Sequence, residues 1–129
     1  MTIEDWTRIA DRFVRVLETG DVADLERLYH PDLRFTVRTA GTAMGRDDAL
    51  ANFRQTWTLL QDVAVEVVSR QATTSGFLVQ QVLNATGPSG QRVQVPMCMI
   101  FTLRAGLIVG IDEYFDSAAV APLLDEVAT

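Results

Sequence analysis

Lysine is missing from this chain: all eleven cationic side chains are arginine. Schiff-base chemistry, lysine-held pyridoxal phosphate and the phosphate-loop lysine are excluded together. Histidine and cysteine occur once each, as His30 and Cys98, so no internal disulfide, thiolate metal cluster or multi-histidine metal site can be built. Any catalytic triad would rest on His30, which stands beside Pro31 at a helix end and reads as a surface or capping residue. No apolar run approaches bilayer length, and the N-terminal MTIEDWTRIADRF carries acids where a signal peptide would be basic and then continuously apolar. A soluble, cytoplasmic protein with no membrane association is expected. With a net charge of -6 and scattered arginines there is no basic stripe for a phosphate backbone, which argues against nucleic acid as a partner. What remains is carboxylate chemistry, or binding without chemistry.

The chain has 129 residues, 48% of them hydrophobic and 22% charged, which fits one compact domain over residues 1–129 with a sizeable core. No linker, repeat or low-complexity segment interrupts it. Thr2 can cap a first helix whose Trp6, Ile9, Ala10, Phe13 and Leu17 share a face, with Gly20 as its stop. Asp21 can cap a second helix with Val22, Leu25, Leu28 and Tyr29 on the buried side, running until Pro31 forbids continuation. Leu33 to Arg38 alternates as a strand with Phe35 and Val37 inward. TAGTAMG reads as a loop, and Asp47 or Asp48 opens a third helix presenting Leu50, Phe53, Trp57 and Leu60.

From Asp62 the apolar period changes to two. VAVEVVSR, FLVQQVLNAT, RVQVPMCMIFTL and LIVGIDEYFD follow one another with turn signals at TTSG, GPSG and RAG, as consecutive antiparallel strands do. A three-residue hairpin at Arg104, Ala105 and Gly106 pairs Leu103 with Leu107, Met99 with Ile111 and Met97 with Glu113. Ser117 can cap a short helical tail, which Pro122 is expected to interrupt.

Strict alternation along the last strand sends Leu107, Val109, Ile111, Glu113 and Phe115 to one face, and Ile108, Gly110, Asp112, Tyr114 and Asp116 to the other. Glu113 is the lone acid on an apolar face. A carboxylate there is costly unless partnered or protonated, so Glu113 is either a pocket acid with a raised pKa or a structural partner of an arginine. Gln81 is a second inward polar group, able to bond the acid or a ligand carbonyl, or simply to satisfy the core.

In order and spacing, the Gly20-Asp21 helix break, His30-Pro31-Asp32 before the first strand, Gly45-Arg46-Asp47 at the third helix and Tyr114-Phe115-Asp116 closing the last strand resemble the SnoaL-like branch of the nuclear-transport-factor-2-like superfamily. The resemblance covers nearly the whole chain. It implies an α+β fold in which a curved, mostly antiparallel sheet is closed by N-terminal helices over a cone-shaped pocket. The ketosteroid isomerases of this superfamily place a tyrosine, an aspartate and a protonated acid where this chain has Phe13, Val37 and Met99. Limonene epoxide hydrolases place their water-holding residues at positions matching Phe35, Val37, Leu83, Gln81 and Glu113, of which only Glu113 keeps an acid. SnoaL-type polyketide cyclases have an acid at the Glu113 position and a histidine where Met99 stands.

The resemblance therefore implies a cofactor-independent isomerase, cyclase or lyase for a small hydrophobic, carbonyl-bearing molecule, with Glu113 as its catalytic residue and no metal. The pocket it implies would be lined by Phe13, Phe35, Val37, Phe53, Trp57, Gln81, Leu83, Met97, Met99, Ile111 and Phe115. From residue type alone the same aromatics and methionines form plain core. A noncatalytic binding module for an apolar ligand or a partner is the other reading. The face bearing Asp112, Tyr114, Asp116, Cys98, Ile100 and Ile108 is expected to be a homodimer interface or a solvated sheet face.

Overall fold

The computed structural model describes residues 2–128, leaving aside the side chains of Ile3 and of residues 124–128. Helix α1 (Ile3–Thr19) starts at a capping box: the Asp5 backbone N–H donates to Thr2 Oγ1 at 3.3 Å and the Asp5 carboxylate accepts from the Thr2 backbone N–H at 3.4 Å. Gly20 ends it in the left-handed region at φ 74°. Its buried stripe, Trp6, Ile9, Ala10, Phe13, Val16 and Leu17, has helical spacing and lies against the sheet. Helix α2 (Val22–Leu28) is capped by Asp21, whose carboxylate accepts from the Asp24 backbone N–H at 3.1 Å. Arg12 donates to Asp24 at 2.8 Å and ties the two helices, and that hydrogen bond holds the Asp24 carboxyl below its usual range.

The chain then enters the sheet earlier than its pattern suggests. Tyr29, expected on α2, is the first residue of β1 (Tyr29–Val37), because the backbone turns extended there at φ -85°, ψ 130°. The supposed TAGTAMG loop contains a short strand, β2 (Thr42–Gly45), which pairs antiparallel with Arg34 to Val37. Helix α3 (Arg46–Trp57) stops at Trp57, so Leu60 lies beyond it. Strands β3 (Gln61–Ala72), β4 (Gly76–Thr86), β5 (Arg92–Arg104) and β6 (Leu107–Phe115) complete an unclosed, curved six-stranded sheet of order β2-β1-β6-β5-β4-β3. Every pairing is antiparallel except β1 with β6, so the last strand is inserted beside the first. Helix α4 (Ser117–Ala128) follows; the Asp116 carboxylate, rather than Ser117, caps it by accepting from the Ala118 backbone N–H at 3.0 Å. It runs unbroken through Pro122. Proline removes one backbone donor there, while packing of Ala119, Val120 and Leu123 on the sheet offsets that loss.

The β5–β6 hairpin differs from its expected form. Arg104 pairs with Leu107 across a two-residue turn, with Ala105 at φ 53° and Gly106 at φ 77°, the signature of a type I′ turn. In the next pair Leu103 faces Ile108, while Thr102 pairs with Gly110, leaving Val109 as the extra residue of a bulge. The bulge reverses the alternation, so Ile108 is fully buried on the same face as Ile111 instead of lying opposite to it. Beyond it, Phe101 faces Ile111, Met99 faces Glu113 and Met97 faces Phe115. The expected pairs Met99 with Ile111 and Met97 with Glu113 are corrected by two residues.

One core cluster lies between α1, α2, α3 and the inner sheet face, with Phe101 stacked on Phe77 at 4.4 Å and meeting Phe13 edge-on at 5.0 Å. A second, built from Leu83, Ala85, Val93 and Val95, lies under α4. Trp57 and Met97 pack against both. Among the described residues no helix is long and apolar enough to cross a membrane.

Candidate active site

Three adjacent strands lose cover in the same direction. Leu33 is buried while Phe35 and Val37 are partly exposed on β1; Phe101 and Met99 are buried while Met97 is partly exposed on β5; Ile108 and Ile111 are buried while Glu113 and Phe115 are partly exposed on β6. The inner face thus passes from sealed core to a partly exposed band, the mouth, formed by Val37, Glu113, Phe115 and Met97, and beyond Met97 β5 is buried again at Val95 and Val93 under α4. Register brings Val37, Glu113, Met99 and Val79 into one row across the sheet. Phe115, Met97 and Gln81 form the next row, and Phe35, Ile111, Phe101 and Phe77 the row beneath.

Glu113 points to the inner face, as expected of the lone acid in that strand. Among the described residues its carboxyl takes part in no hydrogen bond and no ion pair, and the arginine-paired alternative is not realised. The neighbouring Asp112 does have such a partner: Arg38 donates to it at 2.7 Å on the outer face. Part of the Glu113 residue meets solvent at the mouth, but its carboxyl lies deep enough for desolvation to dominate, and burial pushes its pKa up to about 7. An acid of that strength exchanges protons in both directions near neutral pH.

Gln81 is inward and 3% exposed. Its amide donates to the sulfurs of Met97 at 3.3 Å and Met99 at 3.8 Å. Thioethers are weak acceptors, so a ligand carbonyl would be a stronger partner for the same N–H groups. Phe13 is taken up by its ring contact with Phe101, and Phe53 stacks on Trp57 at 4.3 Å. The Trp57 indole N–H donates to the Leu17 carbonyl at 2.7 Å, which fixes this aromatic pair as a wall. Leu83 belongs to the cluster under α4, one row beyond Gln81. His30 is a local turn residue whose Nδ1 accepts from the Asp32 backbone N–H at 2.9 Å.

Tyr29, assigned only a packing role from sequence, is a buried polar residue of β1. It is paired with Ile108 and buried, and burial first, then the nearby charge of Glu113, pushes its phenol pKa up. The signal available in sequence was its position as the last residue before His30-Pro31, where a helix is already ending.

Two concavities lie away from Glu113. A depression of about 480 Å³ touches Gln81, Met97 and Phe115 but is otherwise lined by outer-face residues such as Val68, Val82, Cys98 and Tyr114. Another of about 400 Å³ sits outside Trp57, between Glu18, Arg54 and Asp62. The larger concavity and the shifted acid are therefore on different sides of the sheet. Chemistry favours the Glu113 side, since the Cys98 thiol in the outer depression is pushed up by burial and so kept from its nucleophilic form.

A family model described as a SnoaL-like domain matches residues 10–111. No curated protein sequence matches the chain. Among solved structures it is similar to PrhC from Penicillium brasilianum, at 13% identity and TM-score 0.85 over 97% of this chain and 89% of that one. It is also similar to IdmH from Streptomyces antibioticus, a proposed polyketide cyclase, at 20% identity and TM-score 0.78 over 93% and 98%. An epoxide hydrolase of M. tuberculosis resembling limonene epoxide hydrolase gives 18% identity and TM-score 0.77 over 97% and 93%. At these identities the likeness is one of fold.

Proposed function

The chain belongs to the SnoaL-like domain family, and from that premise we propose that it is a small cytoplasmic enzyme, independent of cofactors, that isomerises, cyclises or eliminates on a hydrophobic carbonyl compound. One observation carries the reading: Glu113 is an inward carboxyl without a hydrogen bond or ion pair among the described residues, set in apolar surroundings and shifted to about 7. Such a group takes a proton from carbon beside a carbonyl and returns it elsewhere, while the row of Val37, Met99 and Val79 keeps water off the intermediate. Gln81 supplies an amide for orienting a ligand oxygen. The family's cyclases and hydrolases among the structural relatives support an enzyme of this class. Glu113→Gln keeps the shape and removes the titrating group, so turnover of a confirmed substrate should disappear with the fold intact. Turnover at the parent rate would exclude Glu113.

The apolar residues Phe13, Val37 and Met99, at positions where related enzymes carry polar groups, favour a second reading: a binder of apolar ligands that leaves them unchanged. Incubation with polyketide, terpenoid and steroid ligands followed by mass spectrometry separates the two, because any chemical change rules out the binder. We further propose that the outer sheet face pairs two copies of the chain, since Val68 and Tyr114 are exposed there beside the outer depression. A monomer by light scattering across micromolar concentrations would exclude the dimer.

A further inference from the structure

The chain has four methionines, and two of them, Met97 and Met99, project from β5 toward one buried amide. Gln81 on β4 pairs with Met97, and its Nε2 donates to the Met97 sulfur at 3.3 Å and to the Met99 sulfur at 3.8 Å. A thioether is a weak acceptor, so the amide is loosely held. The two methionines differ in access. Met99 is 2% exposed and lies opposite Glu113, whereas Met97 is partly exposed, borders the outer depression of about 480 Å³ and packs against both core clusters. The better exposed methionine is thus also the one whose sulfur lies nearer to the amide.

We propose that Met97 is an oxidation-sensitive latch on the Glu113 site: a peroxide converts its thioether to the sulfoxide, whose oxygen captures the Gln81 amide and withholds it from a ligand oxygen. The inference rests on Gln81 as the donor that orients the ligand. In the step a sulfur lone pair attacks one peroxide oxygen, the O–O bond breaks and an S–O bond forms. The departing hydroxide or alkoxide takes the proton of the transferred oxygen. Sulfur is oxidised, and the peroxide is reduced to water, or to an alcohol where it is an alkyl hydroperoxide. Methionine sulfoxide reductase returns the thioether, so the latch can be released.

Geometry sets the consequence. The oxygen is added to a sulfur already 3.3 Å from Nε2, and the unbranched, flexible methionine stem lets it turn to the amide without movement of the strand. A strong acceptor then replaces a weak one in apolar surroundings, where hydrogen bonds are strengthened. A ligand carbonyl would compete with a tethered sulfoxide instead of with two thioethers. The sulfoxide also brings a polar group to the place where Met97 joins the two clusters, beside the mouth. Cys98, next in sequence, borders the outer depression, and burial pushes its thiol up and keeps it from its reactive form.

The test treats the Cys98→Ser protein, in which the thiol takes no part, with hydrogen peroxide. Met97 and Met99 share one arginine-bounded peptide, Val93 to Arg104, and fragment ions in mass spectrometry tell them apart. Expected is faster oxidation of Met97 than of Met99. The Gln81 side-chain amide, labelled with nitrogen-15 and assigned with Gln81→Leu, should shift on oxidation, return with methionine sulfoxide reductase, and stay still when Met97→Leu is treated in the same way. Oxidation of Met99 at least as fast as Met97 overturns the proposal, and so does a Gln81 amide that is unmoved once Met97 is oxidised. 1-Tetralone is then titrated against both forms. The untreated protein should bind it with a saturable shift of the Gln81 amide, and the oxidised form about tenfold more weakly. Equal affinity overturns the latch. Binding that leaves the Gln81 amide unmoved in the untreated protein overturns Gln81 as the ligand's donor, and the latch with it, without touching Glu113. Absence of any binding counts against a pocket for carbonyl compounds, while capture of Gln81 by oxidised Met97 is still decided by the amide signal.

Discussion

Met99 stands directly opposite Glu113 on the neighbouring strand and, at 2% exposure, shuts that side of the carboxyl from water while offering it no hydrogen-bond donor. Desolvation without compensation is what raises the acid. Met99→Gln places an amide donor in this position and should lower the Glu113 midpoint from about 7 toward the ordinary carboxylate range. Met99→Leu, equally apolar, should leave it where it is. Carbon-13 titration of the side-chain carboxyl distinguishes the two.

Stability should fall with pH for the same reason. A carboxyl raised from 4.5 to about 7 binds its proton more tightly in the folded state than in the unfolded one. The resulting stabilisation is full below about 4.5, is lost as pH rises through about 7, and does not change further above it. Discounted for solvent access at the mouth, the loss should be about 1–3 kcal/mol. Urea unfolding of the parent and of Glu113→Gln at pH 4.5 and pH 8 checks this; the variant should lack the decline assigned to Glu113.

Activity should run against stability. If proton removal from carbon limits the rate, Glu113 must be ionised, and kcat/KM should rise with pH and level off above about 7. That limb should move down with the midpoint in Met99→Gln. A profile flat between pH 5 and pH 9 would mean that this acid does not carry the limiting step.

The hairpin turn leaves room for improvement. Ala105 is held at φ 53°, a region that a β-carbon disfavours and that asparagine tolerates better at the first central position of a type I′ turn. Ala105→Asn should stabilise the protein by roughly 0.5–1 kcal/mol without changing Glu113, as read from thermal melts and the carboxyl titration together.

Much of this architecture could be read from residue spacing. The helical stripe from Trp6 to Leu17 and its glycine stop were legible, as was the change to a period of two after Asp62, because each reflects a local rule. The inward direction of Glu113 was legible too, but its neighbours were not. Val109 occupies a bulge that shifts every pair beyond it, and alternation counted from the turn cannot register an inserted residue. Gly110, directly after it, was the available hint, since glycine inside a strand often marks a bulge. Strand β2 is short and made of Thr42, Ala43, Met44 and Gly45, a composition with little strand preference; pairing with β1 creates it. The place of Tyr29 in the sheet was hidden for a similar reason: its spacing continues the α2 stripe, and only the parallel ladder with Ile108 draws it into β1.

The parallel seating of β6 between β1 and β5 has a consequence for how the molecule comes into being. Before residue 107 leaves the ribosome, the first hairpin with its three helices and the β3–β4–β5 meander share no ladder. They are joined when the last strand pairs Phe35 with Ile111 and Phe101 with the same residue. The second of these is a local hairpin contact, but that of Phe35 with Ile111 is distant along the chain, carries a large closure entropy and forms late. The strand that joins the two halves of the sheet also carries Glu113, so this carboxyl reaches its apolar surroundings only once both halves are paired.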